Sequence, residues 1–269
     1  MNTQLDLFSA AGAATRPDSD PGQCTSAPPS CLDDATLIDA VANASNSACL
    51  AVAHEAGQRR LIAAIPALER LCRRLKGFGR DQPLREQMAA LDGLCMIGGR
   101  DAAAAVARIL VDHVVDDPGL QRAVAAAASL GARLPASLVA VLLRHPEPQV
   151  RADACRCARG GAEVVRLMIE LLSDLNLPVA REAACALGRL GRDEAHSALT
   201  NLLRTEPTPV VIEAIAAVAD DDDQVLLGRI GCTRPDLAPA IIAALETMET
   251  PRAASIADKV RKSWTADLP

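Results

Sequence analysis

The chain has 269 residues, half of them apolar, 1% aromatic, and a formal net charge of -6. That charge excludes a protein that coats nucleic acid nonspecifically, since such binding requires net neutralisation of phosphate. Much of the apolar half is Ala, the best helix former, so the class expected is all-α, and no apolar run reaches the length of a membrane span.

From the N-terminus, Gln4-Leu5-Asp6-Leu7-Phe8 sets three large apolar side chains ahead of a stretch dominated by Ala, Gly, Ser, Thr, Asp and Pro. That composition buries too little to fold and predicts a flexible, disordered arm over residues 1–30. Asp6 interrupts the apolar run and no basic segment precedes it, so the start does not read as a signal peptide. Nine Cys, an odd number spread through the chain, form no disulfide framework and point to a reducing cytoplasm. Helices are expected over 37–44, 47–56 and 59–75, the last an amphipathic one bearing Pro66.

A period follows. Pro83, Pro118, Pro148, Pro178, Pro209 and Pro239 lie 35, 30, 30, 31 and 30 residues apart. After each comes an Ala-rich amphipathic run, a turn and a second apolar run. Proline suits the first turn of a helix because its φ is already helical and its missing N–H would be unpaired there. Gly131, Gly161 and Gly191 fall where a left-handed residue would end the first helix of a pair. Each unit is a helical hairpin whose apolar stripe is too wide to bury alone, so neighbours must stack. Residues 31–269 are therefore expected to form one curved array.

The strings Pro148-Gln149-Val150-Arg151-Ala152-Asp153-Ala154-Cys155 and Pro178-Val179-Ala180-Arg181-Glu182-Ala183-Ala184-Cys185, the second continuing as Ala186-Leu187-Gly188-Arg189-Leu190-Gly191, resemble short HEAT-like repeats of the phycobilisome-lyase type. The likeness is strongest over 148–204 and weakest over 205–264, where Ile212 and Ile242 replace the Arg. It implies a right-handed α-solenoid of HEAT-like hairpins, with the helices that begin near the six prolines on the concave side. It also implies that Arg151 and Arg181 bridge neighbouring repeats through an acidic partner.

Chemistry is sparse. His54, His113, His145 and His196 have no second ligand at helical spacing, and Cys155 and Cys157 lie about 200° apart on a helix, which suits core packing rather than a metal. Asp220-Asp221-Asp222-Asp223 sits at a turn, where Asp caps the next helix. No phosphate loop or nucleophile elbow occurs, so no catalytic residue, metal or cofactor is expected, and the chain reads as non-enzymatic. Arg70, Arg73, Arg74 and Lys76 form a basic stripe on the helix expected over 59–75. It fits DNA or an acidic partner, although a solvated helix face is the plainer explanation.

Residues 4–8 resemble, letter for letter, the QL-[SD]-LF peptide by which bacterial proteins bind the replication sliding clamp; a chance match is roughly one in a thousand at average composition. The resemblance implies that Leu7 and Phe8 fill the clamp's hydrophobic pocket, Leu5 takes a neighbouring subsite, Gln4 bonds the rim and Asp6 stays exposed. Burying the three apolar side chains gains about 5–8 kcal/mol, which ordering five residues at about 1–2 kcal/mol each largely offsets. The arm alone should bind weakly, and its spacer should reach about 25 Å on average. A competing local arrangement is a capping box at Thr3-Gln4-Leu5-Asp6, with Leu5 and Phe8 docked on the first hairpin. The chain is thus expected to be an adaptor, held at the clamp and presenting a concave surface to a protein or DNA partner in replication or repair. The alternative is a protein-binding scaffold or maturation factor of the phycobilin-lyase type, for which residues 1–30 would be dispensable.

Overall fold

The computed structural model describes residues 28–76 and 82–265. Among them there are fifteen α-helices and no strand. In chain order they are α1 (Asp34–Ala42), α2 (Cys49–Gln58), α3 (Ile65–Arg73), α4 (Arg85–Ile97), α5 (Gly99–Val111), α6 (Leu120–Ser129), α7 (Ala136–Leu142), α8 (Pro148–Cys157), α9 (Ala162–Leu171), α10 (Leu177–Arg189), α11 (His196–Thr205), α12 (Pro209–Ala216), α13 (Asp221–Thr233), α14 (Ala238–Thr247) and α15 (Pro251–Thr265).

The helix starts follow from local chemistry. Proline occupies the first turn of α8, α10, α12 and α14. At α10 and α12 a side chain completes the start: Asn176 accepts from the Val179 N–H and Thr208 from the Val211 N–H, both at 3.3 Å. Asp220 accepts from the N–H groups of Asp222 and Asp223 at 2.9 Å each, while the Asp220 N–H donates back to Asp223, a reciprocal capping box that opens α13. Gly131 and Gly191, both at φ 63°, follow α6 and α10 and take the left-handed conformation that side chains disfavour.

The helix expected over 59–75 is shorter than its apolar pattern. The chain turns at Arg60, makes a 3-10 turn over Ile62–Ala64, and opens α3 only at Ile65. Pro66 is the reason: it has no N–H to donate and its ring would strike a preceding helical turn, so it is tolerated only at a helix start.

The helices stack in two rows, an α-solenoid. The even-numbered helices form a continuous row from α2 to α14, each packed on the next. In the other row α1, α3 and α5 touch in turn, as do α7 and α9, and α13 and α15, while the steps α5 to α7, α9 to α11 and α11 to α13 are splayed. A stack bends toward its closer-packed side, so the even row lines the concave face. Small residues permit the close approach. A Cβ on Gly188 of α10 would stand 2.5 Å from the Ala214 carbonyl oxygen of α12 and 2.6 Å from Leu199 Cδ1. Between the rows lies a continuous core in which Leu68, Leu91, Leu94, Ile109, Met168, Leu187, Leu199 and Ile212 are fully buried. At the C-terminal end Trp264 Nε1 donates to the Gly231 carbonyl at 2.9 Å, tying the end of α15 to α13.

Candidate protein-interaction surface

Arg151 and Arg181 occupy the same position in successive repeats and behave differently. Arg151 forks onto Asp174 at 2.9 and 3.0 Å and donates to the carbonyls of His145 and Pro146, both at 2.9 Å. It therefore locks the turn before α8 to the turn before α10. Arg181 has its nearest carboxylate oxygens at 3.7 Å (Glu206) and 3.9 Å (Glu182), too far for good hydrogen bonds, and stays exposed.

Arg181 belongs to a groove on the concave face that runs from α6 across α8 and α10 to α12. Its walls carry Arg156, Arg159, Arg181 and Arg189 against Glu182 and Glu213. Arg156 is paired with the buried Asp153 at 3.1 Å. The Arg159 guanidinium bonds only carbonyl oxygens, those of Arg156, Ala158 and Gly131. Arg189 is half-buried and forms no ion pair among the described residues. Beyond Arg189 and Glu213, which line both stretches, the groove continues over a floor of Pro209, Ala216, Ala240, Ala243 and Ala244.

The stripe on α3 is more engaged than its sequence suggests. Arg73 pairs with Glu69 at 2.8 Å and Asp112 at 2.7 Å. Arg74 donates to the Ala44 carbonyl at 2.7 Å, with Glu86 3.8 Å away, and Lys76 donates to the Asp112 carbonyl at 2.6 Å. Arg108, from the next hairpin, completes the cluster on Glu69 at 2.6 Å. Arg70 and Lys76 are exposed with no ion pair among the described residues, and the Lys76 ammonium meets a main-chain carbonyl rather than a carboxylate.

Gln4, Leu5, Asp6, Leu7 and Phe8 lie outside the described residues. The described chain begins at Pro28, and Arg59 clasps it there: its guanidinium donates to the carbonyls of Pro29, Ser30 and Leu32 at 3.2, 3.1 and 2.8 Å, and also to Asp34 and Glu55. Hydrogen bonding to Glu55 and then Asp34 raises the Arg59 pKa further above its ordinary value.

One cluster not legible at helical spacing brings three metal-competent groups within 4.8 Å of one another: His196, Asp220 and Asp223. His196 Nε2 lies 2.6 Å from Asp223 Oδ2 and 3.6 Å from Asp220 Oδ2, and Thr200 donates to Asp223 Oδ1 at 2.9 Å. Both Asp223 oxygens are thus engaged by protein groups, and the cluster works as the α13 cap extended onto α11. The signal that would have found it is a spacing of one repeat rather than one turn. Cys155 and Cys157 are buried, and burial pushes their thiols up to about 12 and about 11, which leaves them unreactive at neutral pH. No helix among the described residues is long and apolar enough to cross a membrane.

Comparison with known proteins places residues 135–219 on the family model of HEAT repeats. These middle repeats are HEAT-like. No curated protein matches the chain by sequence. Among solved structures, Escherichia coli YibA is similar at 14% identity and a TM-score of 0.39, over 87% of this chain and 94% of its own. Human deoxyhypusine hydroxylase in complex with glycerol is similar at 18% identity and 0.30, over 87% and 84%. An engineered protein is similar at 17% identity and 0.31, over 87% and 98%.

Proposed function

We propose that the chain is a non-enzymatic scaffold that takes a protein partner on its concave row and is held at the bacterial sliding clamp by residues 4–8, in replication or repair. The observation that carries the scaffold is the unbroken row from α2 to α14. It presents a groove with several guanidinium groups that lack a hydrogen-bonded carboxylate at one end and an alanine floor at the other, and its middle repeats match the HEAT model. What supports the tether is the peptide Gln4-Leu5-Asp6-Leu7-Phe8, an apolar trio followed by a polar spacer.

A tether needs a fixed origin on the body, and the Arg59 clasp supplies one beside α1 and α2. A clamp-bound peptide would hold that end nearest the clamp, within a reach of about 25 Å. A weak second contact there would gain from the high effective concentration. Contact with DNA at this end would rest on Arg70 and Lys76, because Arg73 and Arg74 face carboxylates of the body, while Lys76 meets only a main-chain carbonyl.

The test is co-precipitation of a bacterial sliding clamp with the intact chain and with Leu7→Ala/Phe8→Ala. Loss of clamp alone, with other bound proteins retained, is the expected result. Equal clamp recovery by both forms would refute the tether, and a chain that functions without residues 1–30 would return the reading to a scaffold unrelated to DNA.

A further inference from the structure

We infer that the central concave groove takes an extended acidic segment of a partner protein, its carboxylates on Arg159, Arg181 and Arg189 and its small apolar side chains on the alanine floor beyond. The inference rests on the scaffold reading and names the chemistry of the partner.

In a chain of net charge -6, the stretch between α6 and α12 is lined by four arginines and two glutamates. Of the four, only Arg156 has its charge met at hydrogen-bond distance, by Asp153. Some exposed arginines elsewhere have close acidic partners, Arg108 and Arg144 at 2.6 Å and Arg252 at 2.8 Å, and others, Arg70 and Arg100 among them, form no ion pair among the described residues; the groove gathers three arginines without a close carboxylate on one lining. Arg159, Arg181 and Arg189 lack such a partner. Each guanidinium offers five donors in a planar fork that matches a carboxylate, so most of this donor capacity remains for a ligand.

The shape and lining of the surface suit the same ligand. Cys185 and Val211 are buried at the base of the basic stretch, while Val210 is 47% exposed at its rim. The adjoining stretch over Pro209 and the alanines of α12 and α14 has few polar atoms to desolvate. From α8 to α14 the row makes three interhelix steps of about 8–10 Å each, a span matched by about eight residues of extended chain at roughly 3.3 Å per residue. An acidic half followed by a small apolar half is the complement of this lining. A nucleic-acid strand is a poorer fit. Glu182 and Glu213 would face its phosphates, the alanine half offers no cation beyond the Arg189 it shares with the basic stretch, and no aromatic ring lines either stretch for a base to stack on.

The probe is a fluorescein-labelled eight-residue peptide, three glutamates followed by alanines and leucines, titrated against the full chain by fluorescence anisotropy. The controls are the same peptide with lysines for glutamates and a labelled single-stranded oligonucleotide. The glutamate peptide should bind, weaken with salt, and lose at least about tenfold in affinity on Arg181→Glu/Arg189→Glu. Arg166→Glu, on α9 of the other row, should change it by less than about twofold. Circular dichroism confirms that each variant is folded, and R181Q/R189Q, which removes charge without reversing it, should show an intermediate loss. No binding of the glutamate peptide at millimolar concentration, equal binding of the lysine peptide, tighter binding of the oligonucleotide, or indifference to the groove substitutions would each overturn the proposal. The assay contains no clamp, so it fails or succeeds independently of residues 4–8.

Discussion

Replacing Arg151 by Met keeps the aliphatic stem and removes four hydrogen bonds: two to Asp174 and one each to the carbonyls of His145 and Pro146. Arg151 and Asp174 are 16% and 9% exposed. The substitution would strand the Asp174 carboxylate with the Asn176 N–H, at 2.8 Å, as its remaining close donor. Breaking a fully buried pair from one side costs about 3–5 kcal/mol; this pair retains some solvent access, so a loss near the lower end, about 3 kcal/mol, is expected. Arg181→Met is the internal control. At the same repeat position its carboxylates stand at 3.7 and 3.9 Å and its side chain is 42% exposed, so it should cost about 0–1 kcal/mol. Asp174→Asn in the Arg151→Met background should recover part of the loss, because the uncompensated charge is then gone. Urea unfolding followed by circular dichroism reads all four proteins, with the slope checked for constancy. Equal losses for Arg151→Met and Arg181→Met would refute the claim that only the first arginine locks two turns together.

Three further outcomes are expected. Gly188→Ala gains about 1 kcal/mol of helix propensity but sets its Cβ against the Ala214 backbone, which cannot yield by rotating. The net should be a loss of about 2 kcal/mol, visible as a lower urea midpoint, and a rise would contradict the close approach of α10 and α12. Glu69, held below the ordinary glutamate range chiefly by its hydrogen bond from Arg108 and also by Arg73, contributes stability that is present at neutral pH. That contribution is lost as pH falls through its lowered value. Glu69→Gln should therefore lower the midpoint at neutral pH and flatten the acid limb; an unchanged acid limb would refute this role. In thiol labelling at neutral pH, Cys31 and Cys232 should react in the native protein, whereas Cys155 and Cys185, pushed up to about 12 and about 11 by burial, should wait for denaturant.

The helical stack was legible because its signals are local. Pro148 and Pro209 each open a helix, and Gly131 and Gly191 hold the left-handed turns that their spacing suggested. Reading the α3 region as one helix overran its start, since apolar periodicity continues through Ile62–Ala64 while Pro66 forces the helix to begin later. The surface was much less legible, because it depends on residues one repeat or more apart. The excess of arginine around Arg70 looked uncompensated until α5 brought Asp112 and Arg108 onto α3 and its end. His196 and Asp223 meet only because the fold brings the start of α11 beside the start of α13, across an otherwise splayed step. Conversely, the availability of Arg189 is a missing partner, and a missing partner has no sequence signature.

The proposed tether stands or falls on whether the arm engages a clamp. Surface plasmon resonance of the full chain over an immobilised bacterial sliding clamp, beside Leu7→Ala/Phe8→Ala, tests this most directly. Weak, saturable binding by the intact chain is expected, with a loss of at least about tenfold in the variant, as befits two apolar side chains leaving a pocket. Identical responses from the two proteins, or no response from the intact chain at millimolar concentration, would contradict it.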